Sequence, residues 1–350
     1  MTMPIDATAD ALRQWLDGDD AAEETVRQLA DSTAWPPEPL GSAMTRRLIG
    51  LAHDALSRDP NRAVWISRLA IRASKRGETL IDEGDAWREY AAALLEVGDY
   101  DDAHTAVRRA RMVYRLAQGT EHNEAVLGAV EGRILHELGN SLGGLQRIDE
   151  SARTLLRLND KKTYVRFRSV YAAILFNLGR YREAADTYEA MASDYDSETL
   201  AHAVLMIGRC AVKLGEIERA RQCFETALEM FEDLGLRPEI PRVRKGIAEV
   251  LLANGRVHEA ISELYKARAE FLAMKLPVLG ALVALDIVEL LVTVGRKSEI
   301  ELLCNVCPDR LPQHASQAFA ALRERAGDAC VTEADVQRVR GLLERLPLEA

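Results

Sequence analysis

The pair Cys304-x-x-Cys307, with His314 and Cys330 further on, is the first place where side chains of this sequence could do chemistry. Thiolates at this spacing suit zinc or a redox couple. Zinc takes four Cys or His ligands around a tetrahedron, usually from two close pairs. A second pair is absent, since His314 and Cys330 stand sixteen residues apart. A redox CxxC opens a helix beside a βαβ unit, and no strand is evident here. Leu138-Gly-Asn-Ser-Leu-Gly-Gly144 is glycine-rich, but a phosphate loop needs a preceding strand and a Gly-Lys-Ser/Thr ending. His53, His104, His122, His136, His202, His258 and His314 are scattered, and no Gly-x-Ser-x-Gly elbow exists. No nucleophile, base and oxyanion donors assemble. The expectation is no catalytic residue, no cofactor and no metal. A metal- or thiol-dependent enzyme ranks third, behind two binding functions.

The elements that carry these residues form a repeat. Gly98-Asp-Tyr100-Asp-Asp-Ala103 returns as Gly179-Arg-Tyr181-Arg-Glu-Ala184, with Tyr188 following. It returns as Gly215-Glu-Ile217-Glu-Arg-Ala220 with Phe224 and Ala227, and as Gly255-Arg-Val257-His-Glu-Ala260 with Leu264 and Ala267. Gly295-Arg-Lys297-Ser-Glu-Ile300 is a weaker copy. The last four glycines are separated by 36, 40 and 40 residues, whereas Gly98 and Gly179 are 81 apart. That gap has room for one more copy, read as Gln146-Arg-Ile148-Asp-Glu-Ser151 without its glycine, with a bend near residue 146. Apolar residues such as Ile247, Val250 and Leu251 keep helical spacing. Glycine supplies the φ/ψ that ends a helix. Each helix pair leaves an apolar face that only its neighbour can cover, so the pairs must stack. In this register Cys304 and Cys307 take the places of Phe224 and Ala227, core positions where Cys acts as a small hydrophobe.

The pattern resembles the tetratricopeptide repeat, W-x2-L-G-x2-Y followed by G-x-Y-x2-A, an aromatic and another Ala. Trp87 stands eleven residues before Gly98, with Tyr90, Ala91 and Leu94 after it, and Ile207-Gly208 is the Leu-Gly pair of another copy. The resemblance implies an all-α fold, a right-handed α-solenoid of antiparallel helix pairs. The usual period is about 34 residues. A period of up to 40 implies helices longer by about a turn, as in arrays of bacterial signalling regulators and peptide receptors.

The expected divisions are an N-terminal helix within 1–31, read as one helix over 5–30, and a Pro-rich linker at 32–43. A degenerate helix pair follows at 44–83, with helices at 44–58 and 61–75. An array of about six repeats spans 84–314, and C-terminal capping helices span 315–350. Thr332-Glu-Ala-Asp335 reads as a cap and acidic first turn for the final helix.

In the family the first helix of each pair lines an inner groove. Counting back from the turns puts Arg133, His136 and Asn140 there in one copy and Arg166 and Ser169 in the next. His202, Arg209 and Lys213 follow, then Arg242 and Lys245. Arg and Lys suit carboxylates and Asn suits peptide backbone, so the expected partner is a protein or peptide with an acidic segment. Glu249, Asp286 and Glu289 fall on the same side further along, so the groove is expected to change sign there. The expected function is a non-catalytic scaffold or adaptor. The alternative is a sensor of a signalling peptide or small ligand that controls a partner protein, for example in transcription.

Composition sets the remaining bounds. Hydrophobic residues are 48% of 350 and charged ones 29%, enough for a packed core. The net charge of −10 argues against direct nucleic-acid binding, which needs surplus Lys and Arg. No run is apolar for long enough to span a bilayer, and MTMPIDATADALRQW lacks the basic and apolar regions of a secretory signal. Five cysteines at irregular spacing read as reduced thiols. These give the expectation of a cytoplasmic protein, and the bias toward Ala, Arg and Leu alone gives that of a bacterial one.

Overall fold

The computed structural model describes residues 5–18, 20–31, 41–56, 59–75, 79–306, 313–327 and 331–344. Cys307, Cys330, the side chain of His314 and most of the expected 32–43 linker lie outside the described residues. The chain divides into two compact units, Met1–Ile174 and Leu175–Ala350. Among the described residues every regular element is helical, and none is long and apolar enough to cross a membrane.

The first unit holds α1 (Ile5–Leu16), α2 (Glu23–Asp31), α3 (Gly41–Ala55), α4 (Pro60–Ser74), α5 (Leu80–Glu96), α6 (Tyr100–Leu116), α7 (Glu121–Glu137), α8 (Ser141–Arg157) and most of α9 (Lys161–Asn177). The expected single helix over 5–30 is in fact two, α1 and α2. The chain bends between them at Gly18, whose φ of +102° is open to glycine. Both pack on the array: Leu12, Val26, Leu48 and Leu69 share one core, and the Trp15 and Trp65 rings lie 5.5 Å apart. Trp87 joins this core to the next one, built by α5, α6 and α7.

The second unit holds α10 (Tyr181–Glu189), α11 (Ser197–Lys213), α12 (Ile217–Asp233), α13 (Ile240–Ala253), α14 (Val257–Ala273), α15 (Pro277–Thr293), α16 (Lys297–Val306), α17 (Gln313–Gly327) and α18 (Glu333–Leu343). Here too antiparallel pairs stack, with Phe224, Phe231 and Val243 in one core and Phe271, Leu285 and Cys304 in another. Cys304 is core, where the register puts it.

The 40-residue period has a simple origin. Half of the described helices are 17 residues long, and turns of three residues join most of these to the next helix. The one 36-residue step arises because α10 has only 9 residues. At the turns after α5, α11, α13 and α15 a glycine takes positive φ. The next N–H bonds back to the helix, as Asp99 to the Leu94 carbonyl and Glu216 to the Ala211 carbonyl, both at 2.9 Å.

The bend expected near residue 146 is at Gly139 instead. Gly139 has φ +86°, and Asn140 N–H bonds the Leu135 carbonyl at 2.8 Å. Residue 146 lies inside α8. The slip of seven residues is nearly two helical turns, and it rotates a helix face by only about 20°, so the apolar pattern fits both registers. In the true register Gly144 takes the Ala position. There α7 and α8 approach so closely that a Cβ on Gly144 would lie 2.4 Å from the Gly132 carbonyl oxygen.

The last helix leaves the repeat. α17 packs beside α16, but α18 turns back onto α15, the first helix of the preceding pair. Val336, Val339 and Leu343 bury themselves in the core that α15 helps to build. As expected, Thr332 caps α18, in a capping box with Asp335.

Candidate functional site

In the second unit the first helices of successive pairs present equivalent residues to one cavity of about 370 Å³. α11 contributes His202, Leu205, Met206 and Arg209; α13 contributes Arg242, Lys245, Gly246 and Glu249. Leu279, Leu282 and Val283 of α15 and Phe271 of α14 complete an apolar floor. The cations stand there because one repeat length returns each helix to the same face.

Their partners differ. Arg242 is held by both carboxylate oxygens of Glu239, at 2.9 and 3.0 Å, three residues earlier in a single 3-10 turn. His202 Nδ1 lies 3.8 Å from the same carboxylate, and its ring meets Phe231 edge-on at 5.0 Å. Lys245 Nζ is 2.8 Å from Asp286 Oδ2 of α15. That oxygen is buried and makes no hydrogen bond of acceptable angle, so the contact is Coulombic. Arg209 is different. Its guanidinium lies over the Phe176 ring at 4.9 Å and touches Met206 Sδ at 3.6 Å. Among the described residues no carboxylate pairs with it. Phe176 is itself held edge-on by Tyr181 at 5.2 Å. Lys213 is exposed in the last turn of α11, where the helix dipole favours a cation, and it does not line the cavity.

The first unit uses the corresponding face otherwise. Arg133 of α7 bonds Glu96 of α5 at 2.8 Å. Counted from Gly139 it is still in line with Arg209, each six residues before its glycine. His136 and Asn140 are not: they were placed by counting from residue 146. His136 Nδ1 meets Ser141 Oγ at 2.9 Å, and the Asn140 side chain accepts from Gly143 N–H as the cap of α8. Arg166 is exposed, with its guanidinium 5.6 Å from the Phe167 ring centre. The Ser169 hydroxyl donates to the Val165 carbonyl at 3.1 Å inside its own helix.

Between α3, α5, α6 and α7 the charges close into a network. Asp85 accepts from Arg88 at 2.6 Å, from the Tyr114 hydroxyl at 2.6 Å and from Asn123 at 2.9 Å. Glu89 accepts from Arg88 at 3.2 Å and lies 3.1 Å from His53 Nδ1. Burial pushes the Tyr114 hydroxyl far up and would raise Glu89 too. For Glu89 the His53 hydrogen bond and the Arg88 charge outweigh burial and hold it below the ordinary carboxylate value. Further along α7, Arg111 and Arg147 clamp Glu131.

Burial pushes the Cys210 thiol up to about 11, which disfavours the reactive thiolate. Sequence reasoning missed Phe176, Glu239 and the Asp85–Arg88–Glu89 network. The Glu239–Arg242 spacing of three was a usable signal. The network was also signalled by three charges, Asp85, Arg88 and Glu89, within about one helical turn.

Residues 205–270 match the tetratricopeptide repeat, a stretch that includes most of the cavity walls from α11 to α14. In fold the chain is similar to a Rap protein solved in complex with competence and sporulation factor. The TM-score is 0.57 at 11% identity, covering 96% of this chain and 100% of that one. It is similar to the apo form of the quorum sensor NprR from B. thuringiensis, with TM-score 0.55, 12% identity and 97% of each chain covered. It is also similar to aspartyl phosphate phosphatase F from Bacillus subtilis, with TM-score 0.54, 12% identity, and 100% and 97% covered. At such identities the likeness is one of fold. No curated protein matches the sequence.

Proposed function

The chain is a tetratricopeptide repeat protein, and we propose that it is a non-catalytic binding protein whose α11–α13–α15 face holds a segment of another protein or a peptide. An acidic group of that segment meets Arg209, and an adjacent apolar side chain enters the floor lined by Leu279, Leu282 and Phe271. The observation that carries this reading is the state of Arg209. Among the described residues it is the cavity guanidinium with no carboxylate of its own, and aromatic stacking on Phe176 holds it in place. Arg242 and Lys245 already have acidic partners, so a ligand must compete for them. A helical face preformed by repeat packing needs little reorganisation on binding. A cytoplasmic partner belongs to this reading.

A library of nine-residue peptides, screened against the full chain and followed by fluorescence polarisation with the best binder, tests it. Selected peptides should carry Asp or Glu beside Leu, Ile or Phe. Arg209→Glu should lose the best binder at least about ten-fold, the scale of one charge-assisted contact. Undiminished binding by this variant, or a selection indifferent to acidic residues, removes the reading.

A second reading is a regulatory sensor of a signalling peptide. It is favoured by two neighbours in fold, one solved with competence and sporulation factor and one described as a quorum sensor. Small-angle X-ray scattering with and without the selected peptide separates the two. A sensor compacts on binding, whereas a scaffold keeps its radius of gyration.

A further inference from the structure

α18 packs against both α15 and α17. It covers the part of α15 that carries Asp286 and Glu289, next to the cavity. Arg340 of α18 reaches Asp286 Oδ1 at 2.8 Å and Glu289 at 3.0 Å, and Gln337 also donates to Glu289 at 3.0 Å. Lys245 lies against the other oxygen of Asp286. One half-buried carboxylate is thus shared by a cavity cation and by the C-terminal helix.

We propose that α18 is part of the binding site and that Arg340 is a positioning residue for it: by sharing Asp286, Arg340 sets how freely Lys245 meets an incoming carboxylate. This rests on the reading of the cavity given above. The electrostatics are direct. Without Arg340, Asp286 at the cavity edge would be left to Lys245. It would hold Lys245 harder and repel an acidic ligand. With Arg340 docked, Asp286 is partly neutralised, and Lys245 can exchange one carboxylate for another at lower cost. The acidic stretch on α15 therefore serves to seat α18. It does not extend the ligand face to a basic partner segment.

The test needs no ligand. Acetylation of lysines by N-hydroxysuccinimidyl acetate on the full chain, followed by peptide mass spectrometry, reports the freedom of Lys245, with Lys213 and Lys266 as internal references. Asp286→Asn should speed labelling of Lys245 about three- to five-fold, the range for one partly exposed ion pair. Arg340→Gln should slow it about two- to three-fold. The double variant should match Asp286→Asn, because Arg340 acts through that carboxylate, and Arg340→Lys should restore the wild-type rate. Hydrogen exchange of the α18 amides shows whether the helix stays docked in each variant. Asp286→Asn remains decisive if Arg340→Gln releases it. The proposal is overturned if Asp286→Asn leaves Lys245 labelling unchanged, or if Arg340→Gln still slows labelling in the Asp286→Asn background. Failure of Arg209→Glu to weaken peptide binding would instead remove the underlying reading, and the labelling result would stand apart from it.

Discussion

Two first-helix faces of the same repeat type carry arginines, and they use them in opposite ways. On α5, Arg88 is 15% exposed, and Asp85 and Glu89 are bonded to it, with Tyr114, Asn123 and His53 completing their contacts. On α11, Arg209 is exposed, stacked on one ring and unmatched by a carboxylate among the described residues. The first arrangement fixes neighbouring helices to one another. The second leaves donors for something else. An arginine on this face is a structural tie or a ligand contact according to its neighbours, and repeat position alone does not decide it.

The largest effect that could break this comparison is on stability. Arg88→Met leaves half-buried Asp85 and buried Glu89 without their shared guanidinium and should cost about 3–5 kcal/mol in urea unfolding. A loss below about 1 kcal/mol would mean the network is not a tie. Gly144→Ala sharpens the picture of the first unit. Its Cβ would press on the Gly132 carbonyl, and the cost of overpacking should exceed the gain in helix propensity, for a net loss of about 1–2 kcal/mol. An unchanged or raised stability would place the bend elsewhere than Gly139. Arg209→Glu is the counterpart to Arg88→Met. It should shift stability by less than about 0.5 kcal/mol while costing the peptide binding described above, so a large fall in melting temperature would make the two faces alike.

The smallest effect is a pH dependence in the first unit. The hydrogen bond to Glu89 raises His53 above its ordinary 6.5, against opposition from burial and from the charges of Arg166 and Arg88. The folded value lies above the unfolded one. The contribution is therefore complete below about pH 6.5 and is lost as pH rises through the raised value. Glu89 runs the other way. Its lowered value contributes above about pH 4.5, and that is lost as pH falls through the folded value. His53 is about half exposed, so screening limits the pair to about 0.5 kcal/mol. His53→Gln should lower stability by that amount near pH 6 and by almost nothing near pH 9, measured by urea unfolding at both. Equal losses at the two pH values would show that the charge of His53 plays no part.

Much of the fold was legible in the residues. Glycines at 98, 179, 215, 255 and 295, each followed five places on by Ala or Ile, located five of the turns that follow first helices. They also put Cys304 in the core. The sixth was misplaced because Gly144 fills the Ala position and Ser151 stands seven residues later on nearly the same face. A pattern with a period near 3.6 cannot by itself reject a slip of two turns. The break between α1 and α2 was hidden for a related reason, since Gly18 interrupts a pattern that remains in phase on both sides. The candidate site was legible as cations on one face of successive first helices, at different positions of the repeat. Which of them are free was not.

Sequence alone determined that this chain makes antiparallel helix pairs that stack, because apolar periodicity and helix-ending glycines are local properties that recur along it. It also determined that Arg209, Arg242 and Lys245 share a face, because a fixed repeat length returns each helix to the same orientation. Only tertiary structure decided that Glu239 and Asp286 occupy two of these cations, that Phe176 supports the third, and that α18 folds back to share Asp286. Those outcomes depend on distances between side chains on different helices, and ion pairing through a few ångströms of space has no period that a sequence can display.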